Sequence, residues 1–220
     1  PGHPAIFGTW PFVSDLRTGA MSGGSGEQAL LTAACGQMAN YYGLVGGSAA
    51  GMCDAKLPDI QAGYEKGIAT TLAGLAGTNI VYESAGMHGS LMGFCLESLI
   101  IDNDILGQAM RCVRGIDVSK DSLSVDTMRD VCHNGPVHYL GTDQTLGIMQ
   151  TEYIYPKFGD RLSPKEWEAE GKEDMLMRAS VEKRRLLDTY FPRHISDELD
   201  AEIRAKFDIK LPRSAMGKSN

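Results

Sequence analysis

Glycine is distributed very unevenly along this chain of 220 residues, and the distribution limits the folds that the chain can adopt. Residues 1–150 contain 23 of the 26 glycines, with 7 basic and 14 acidic side chains. Residues 151–220 contain 3 glycines and carry 14 basic and 14 acidic side chains, so the net charge of −7 belongs to the first part. The break predicts a glycine-rich domain over residues 1–155 and a helical C-terminal extension over residues 156–220.

Short apolar runs alternate with helical patterns in the glycine-rich part, which is typical of parallel βα folds. We predict strands at 5–7, 45–50, 79–84 and 136–140, and helices at 27–42 and 59–75. A long helical stretch should end at 114, with a break near 102–104. Four consecutive βα units indicate an α/β fold, the C-terminal half of a (β/α)8 TIM barrel, with an open doubly wound sheet as the alternative.

Half a barrel exposes two sheet edges and an apolar interior face. We therefore expect a homo-oligomer, or the N-terminal half of the same barrel, to cover that face. The chain begins at Pro1 with an apolar strand close behind, which we interpret as a piece of a longer polypeptide. Further helices are predicted at 125–132, 142–152, 164–170, 174–189 and 197–207.

Composition argues against several classes of partner. The acidic balance disfavours nucleic acid, because phosphate neutralisation needs clustered Lys and Arg. No run approaches the roughly 18 apolar residues of a membrane span. Five cysteines at irregular spacing do not predict a disulfide framework, so free thiols and a cytoplasmic location are expected. The Cys-x-x-Cys and His-Glu-x-x-His patterns do not occur, so no protein-bound metal is expected.

Candidate site residues lie in the loops that follow the predicted strands, because barrel enzymes place their chemistry there. Acidic and aromatic side chains in one barrel mouth suit a cationic substrate, through charge complementarity and cation–π contact. The polar and aromatic residues of these loops are Trp10, Phe12, Asp15, Arg17, Asp54, Lys56, Tyr82, Glu83, His88, His138 and Asp143.

Structural roles compete with these functional ones. The pairs Asp15–Arg17 and Asp54–Lys56 are equally well explained as loop ion pairs. Trp10 and Tyr82 are also explained as caps of the barrel core, and His138 as a hydrogen-bonded core histidine. The segment 22–26 resembles a phosphate-binding loop but lacks the Lys-Ser/Thr of a P-loop, so a helix cap is favoured.

The sequence also contains two kinds of candidate nucleophile, a cysteine thiol and lysine amines. Cys53 lies in a loop without a histidine beside it in sequence, which disfavours a thiolate nucleophile. Lys56 or Lys66 would be the Schiff-base residue of an aldolase-like barrel, but neither follows a predicted strand directly.

Several motifs in order resemble the trimethylamine methyltransferase family. They are QMANYYGL at 37–44, AGMCDAKLPD at 50–59, QAGYEK at 61–66, NIVYESAG at 79–86 and LIIDNDI at 99–105. The resemblance extends through Asp160-Arg161 and the Trp167 helix, and it corresponds to the C-terminal half of that family's polypeptide.

The resemblance implies a (β/α)8 barrel that moves a methyl group from a methylated amine to the cobalt of a corrinoid. That corrinoid is carried by a separate protein, so no cofactor would be bound tightly by this chain. Archaeal members have pyrrolysine before the Asp-Ala-Lys motif, where this sequence has Met52, so the chain resembles the non-pyrrolysine branch that demethylates quaternary amines such as glycine betaine.

The resemblance also suggests roles for loop residues. Tyr82 matches a pocket tyrosine of the family and is the best candidate for a substrate contact, with Trp10 and Phe12 completing an aromatic cage and Glu83 supplying the counter-charge. Met52 and His88 complete the set of residues that we expect to contact the substrate. Loop residues expected to support this set are Asp15, Arg17, Asp54 and Lys56. No catalytic residue is assigned. An isolated half-barrel should be inactive. The alternative is a non-catalytic barrel that binds a betaine-like ligand or a protein partner.

Overall fold

The computed structural model describes residues 2–135, 137–192 and 194–217. The glycine-rich part contains β1 (Ile6–Thr9), β2 (Val13–Ser14), β3 (Met21–Ser22), α1 (Gly26–Tyr41), β4 (Val45–Ala49), α2 (Ile60–Leu75), β5 (Ile80–Tyr82), β6 (Met87–His88), β7 (Gly93–Phe94) and α3 (Leu96–Arg114). It is followed by α4 (Lys120–Leu123), α5 (Val125–His133), α6 (Asp143–Ile148), α7 (Pro164–Ala169), α8 (Met175–Thr189), α9 (Asp197–Lys206) and a 3-10 turn (Arg213–Met216).

Strands β1, β4 and β5 form a parallel sheet in that order, with Gly8 opposite Gly47 and Gly47 opposite Ile80. Helices α1 and α2 connect the strands, so the predicted α/β class and the first βα units are confirmed. Two short antiparallel hairpins, β2–β3 and β6–β7, lie in the loops after β1 and β5. A partial barrel is compatible with this sheet.

Local sequence signals explain where the helices begin and end. The Ser25 side chain accepts a hydrogen bond from the Gln28 N–H and caps α1, in the segment where a helix cap was favoured. Gly43 adopts the left-handed conformation just beyond the end of α1. Asp59 caps α2 by accepting from Ala62 N–H, so this helix begins two residues after Pro58. Helices α7, α8 and α9 confirm the three helices predicted in the C-terminal part.

The predicted fourth strand is wrong. Pro136 lies outside the described residues, and 137–140 form bends and a turn with exposed side chains. Val137 has φ near +60°, a left-handed conformation that a strand cannot accommodate. His138 is exposed and not a core histidine, and the helix predicted over 142–152 is shortened to α6.

The predicted break in the third helix is also wrong, because α3 is continuous through residues 102–104. The two aspartates there bind loops instead of capping a new helix. Asp102 accepts from Gly86 N–H at 2.7 Å, and Asp104 accepts from the N–H groups of 157–159 at 2.6–3.1 Å.

The core between sheet and helices is built from small residues, with Ala29, Ala50, Ala69 and Ala73 packed around Val81. By compactness the chain divides into Pro1–Ala179 and Ser180–Asn220, whereas composition placed the boundary at 155/156. In the second unit the Asp200 carboxylate forms ion pairs with both Arg204 and Arg213. None of the helices in the described ranges combines the length and apolar character that crossing a membrane requires.

Candidate functional site

Three aromatic rings cluster at the carboxyl end of the parallel sheet. Trp10 follows β1 and stacks on Tyr82 at the end of β5, with ring centroids 5.5 Å apart and an interplanar angle of 26°. Phe12 lies 5.8 Å from Trp10 in a tilted arrangement. The Tyr82 hydroxyl donates to the Thr9 carbonyl at 3.3 Å, which fixes the ring across the sheet. The structure therefore brings together the three predicted cage residues.

Glycine in the neighbouring strands makes room for the Tyr82 ring. A Cβ at Gly47 would lie 3.1 Å from Tyr82 Cε1, and a Cβ at Gly8 would lie 3.5 Å from the Tyr82 hydroxyl. The distance at Gly47 is shorter than an ordinary Cβ contact, so the ring would have to shift, whereas the distance at Gly8 is an ordinary van der Waals contact. The glycine-rich β4 thus permits the close approach of the Tyr82 ring.

Glu83 follows Tyr82 directly and is held in an unusual state. Its φ is 59°, in the left-handed region that side chains other than glycine rarely adopt. One carboxylate oxygen, Oε2, is shielded from solvent and has no hydrogen-bond partner among the described residues. A buried polar atom without a partner is costly unless a ligand compensates it. A cationic ligand within reach of this oxygen would compensate it.

Asp54 connects the three loops at this end of the sheet. Its Oδ1 accepts from Gly23 N–H at 2.8 Å and Gly24 N–H at 3.3 Å, and its carboxylate also accepts from the Ser22 and Ser90 hydroxyls. Burial alone would raise the pKa of Asp54, but these four donors outweigh it and hold the pKa below its usual value. The amides of the predicted phosphate-like loop are thus occupied by a carboxylate of the same chain.

Glu65 of α2 supports the Asp54 loop from behind, and the sequence analysis did not identify it. Its Oε2 accepts from Asp54 N–H at 2.7 Å and Ala55 N–H at 3.4 Å, while Gln61 donates to Oε1 at 2.8 Å. A Cβ at Gly24 would lie 2.5 Å from that same Oε2, so glycine is required there.

His88 and Cys53 meet in space although 35 residues separate them. His88 Nδ1 lies 3.3 Å from the Cys53 sulfur and 3.2 Å from the Ala55 carbonyl, and Nε2 lies 2.6 Å from the Ser98 hydroxyl. A neutral ring with its proton on Nδ1 satisfies the Ala55 and Ser98 contacts, and we assign that tautomer from them. Burial, helped by the Lys66 charge, lowers the pKa of His88.

The Cys53 thiol is not arranged as a nucleophile. It is fully buried, and burial raises its pKa to about 11. A nucleophilic cysteine needs a lowered pKa and access to solvent, so the pair with His88 holds the loops together instead. His88 was a predicted site residue, but its contact with Cys53 was not predicted, because 35 residues separate the two along the chain.

Lys66 and Asp102 form a buried ion pair between α2 and α3. Lys66 Nζ lies 2.5 Å from Asp102 Oδ2, and the side chains are 1% and 3% exposed. Burial raises the pKa of Asp102, and its bonds from Lys66 and the Gly86 amide counteract that shift. The pair fixes the loop after β5, and it leaves Lys66 no access to a substrate carbonyl. The sequence signal for this buried pair is that Lys66 falls on the same face of α2 as Ala62, Ala69 and Ala73.

The remaining predicted residues lie around this centre. Asp15 and Arg17 form an exposed ion pair at 2.5 Å in the β2–β3 turn, as one interpretation proposed. Lys56 donates to the backbone carbonyl of Asp54 at 2.7 Å and does not pair with its carboxylate. Met52 and His88 are buried beneath the loop surface, and Asp143 is exposed at the start of α6. Nowhere in the described ranges do three His, Cys, Asp or Glu side chains group so as to hold a metal ion.

Comparison with known proteins shows which proteins this chain is similar to. The family model described as trimethylamine methyltransferase (MTTB) matches residues 1–212. The chain is 33% identical over 205 residues to a glycine betaine methyltransferase of Desulfitobacterium hafniense (strain Y51). This match covers 93% of the present chain and 42% of that relative. The chain is 36% identical over 203 residues to the trimethylamine methyltransferase MttB of Methanosarcina thermophila, covering 92% and 40% of the two chains. The chain thus spans about two fifths of the length of these relatives.

Proposed function

The chain belongs to the trimethylamine methyltransferase family, and on that premise we propose that it transfers a methyl group from a quaternary methylated amine of the glycine betaine type. The acceptor is the cobalt of a corrinoid carried by a partner protein. The observation that carries the proposal is the aromatic cluster of Trp10, Phe12 and Tyr82, followed directly along the chain by Glu83, whose Oε2 is buried without a hydrogen-bond partner among the described residues. Aromatic faces attract quaternary ammonium groups, and a carboxylate adds charge complementarity.

The chemistry requires no proton donor from this chain. When the methyl carbon leaves a quaternary nitrogen, the bonding electron pair stays on nitrogen, and the product is a neutral tertiary amine. The cobalt supplies the electron pair for the new bond to carbon. Catalysis by the chain's own residues is then a matter of orienting the amine and excluding water from it.

Met52 supports a substrate that is already charged. It is buried, and an ideal Cβ at Gly23 would lie 3.6 Å from its terminal methyl group, so it packs against the loop that Asp54 holds. A thioether offers neither a proton nor an electrophile for the activation of a tertiary amine. A quaternary ammonium needs no such activation, which favours glycine betaine-like substrates over trimethylamine.

The same arrangement supports the proposed partners. Trp10 remains 44% exposed, so the carboxyl edge of the sheet is accessible to a methyl-accepting protein. On the strands of the sheet, Ile6 and Val45 are register partners and exposed, and Ile80, the register partner of Gly47, is exposed as well. We expect the N-terminal half of the barrel to cover this face and complete the pocket. All cysteines are free, which is compatible with the expected cytoplasmic location.

Thermal shift of the full-length protein tests the substrate. We expect stabilisation by glycine betaine, carnitine, proline betaine or choline, and a loss of roughly 5–30-fold in affinity when the carbon isostere 3,3-dimethylbutanoate replaces glycine betaine. Trp10→Ala should weaken binding by a similar factor, whereas Tyr190→Ala, an exposed aromatic in the second compact unit, should not. Stabilisation by trimethylamine alone would contradict the proposal.

Methyl transfer is tested separately with a corrinoid protein and the preferred amine. Transfer by the full-length protein supports the enzyme, and we expect residues 1–220 alone to show none. Binding of a quaternary amine without transfer by the full-length protein would favour the alternative, a non-catalytic betaine-binding barrel.

A further inference from the structure

Helices α1 and α2 turn their small and polar residues toward the sheet and their large apolar residues outward. The buried residues of α2 are Ala62, Glu65, Lys66, Ala69, Thr70 and Ala73. Its outward residues are Ile60, Tyr64, Ile68, Leu72 and Leu75, which are 89%, 54%, 48%, 37% and 59% exposed. This is the reverse of the usual surface helix, whose outer face is charged or polar.

Helix α1 has the same orientation. Its buried residues are Gln28, Ala29, Thr32, Gly36 and Ala39. Leu30, Leu31, Met38 and Tyr41 are exposed along its outer side, and Tyr42 continues it beyond the last turn. We call the outward apolar residues of α1 and α2, with Tyr42, the α1–α2 face.

The α1–α2 face is large and almost without charge. On α2 the spacing of four residues from Ile60 to Leu72 forms a continuous stripe, and no exposed residue of that helix is charged. From the exposed fractions, the apolar side chains of the face present about 1,000 Å², more than the roughly 300–600 Å² of the largest apolar patch on a typical monomer.

Completion of a barrel would not cover this face. New strands would pair with the free edges of β1 and β5, and their helices would pack beside α1 and α3. Helix α2 already lies between α1 and α3, with its inner side against the sheet. Only its outward side is free, so the occupant must come from outside the barrel layer.

We propose that the α1–α2 face is the contact between two copies of this protein. Its area exceeds the roughly 800 Å² per partner of a standard stable interface. Its lack of charge is typical of permanent homodimer contacts, whereas a methyl-accepting partner must dissociate and would need a more polar surface. A two-fold axis lets the same face pair with itself, and it leaves the carboxyl edge of the sheet open.

Light scattering with size-exclusion chromatography of the full-length protein tests the interface. We expect an oligomer for the natural sequence, and a reduction of its mass to half or less for Ile68→Glu with unchanged far-ultraviolet circular dichroism. Leu16→Glu is the control, because Leu16 is 97% exposed in the β2–β3 turn, away from the face. A monomeric natural protein, or an unchanged mass for folded Ile68→Glu, would overturn the proposal.

Photo-crosslinking decides the matter if Ile68→Glu fails to fold. A benzoylphenylalanine at position 64, in place of Tyr64, should yield a product of twice the subunit mass, and the same group at position 16 should not. A crosslink to another segment of the same polypeptide, or to none, would show that a second copy does not occupy the face. Neither measurement depends on methyl transfer, so the interface can fail while the proposed function stands.

Discussion

Replacing Lys66 by methionine removes the positive member of a buried ion pair while preserving most of the side-chain volume. Within the described part of the chain, Asp102 then keeps only the Gly86 amide as a donor, at 2.7 Å, in an environment where its side chain is 3% exposed. Breaking a buried pair by removing one partner typically costs about 3–5 kcal/mol, because the remaining charge is left uncompensated. We expect Lys66→Met to lower the free energy of unfolding by about this amount.

Two further variants show whether the cost comes from the isolated charge. Lys66→Met with Asp102→Asn removes both charges and keeps an oxygen for the Gly86 amide, so most of the loss should be recovered. Lys172→Met is the matched control, since its pair with Glu168 is 58% and 61% exposed and should contribute at most about 0.5 kcal/mol.

Urea unfolding followed by circular dichroism measures all three variants. Hydrogen exchange at the Gly86 amide adds a local test, because an unpaired Asp102 should loosen the loop that it holds. A loss below about 1 kcal/mol for Lys66→Met, or an equal loss for the single and double variants, would refute the reasoning.

Three other predictions follow from the site. Gly47→Ala should displace the Tyr82 ring and weaken amine binding roughly threefold to tenfold in titration calorimetry. Gly107→Ala is the control, because a Cβ at Gly107 meets no atom within 4 Å. Equal amine affinities of the two variants would contradict the packing argument. Cys53 should resist iodoacetamide in the native protein at pH 8 while exposed cysteines react, and its early alkylation by mass spectrometry would count against a buried thiol with a raised pKa. Burial lowers the pKa of His88, so as the pH falls the histidine of the unfolded chain is protonated before that of the folded protein. The contribution of His88 to stability should therefore be full above about pH 6.5 and decrease below it. If His88→Gln leaves the pH dependence of the urea midpoint unchanged, this prediction is wrong.

The sequence predicted those features that depend on neighbours along the chain. Ser25 and Gly43 delimit α1 through local hydrogen bonds and local backbone geometry. The aromatic residues of the site were also found, because each lies at or just beyond the end of a strand and the carboxyl ends of parallel strands share one edge.

Prediction failed where a local pattern lacked support from the rest of the fold. The segment 137–140 contains apolar residues, but Val137 has a positive φ and the side chains stay exposed. The aspartates at 102 and 104 suggested a break in a helix, whereas they bind the amides of two distant loops.

The sequence by itself determined the family, the order of the first βα units and the aromatic residues at the ends of their strands, because these depend on motifs and on contacts close in the chain. The tertiary structure decided the pairing of Lys66 with Asp102 and of Cys53 with His88, separated by 36 and 35 residues. It also placed the Asp54 carboxylate on the amides of Gly23 and Gly24. Buried polar groups must find partners, and which partners come within reach depends on how the sheet and helices pack.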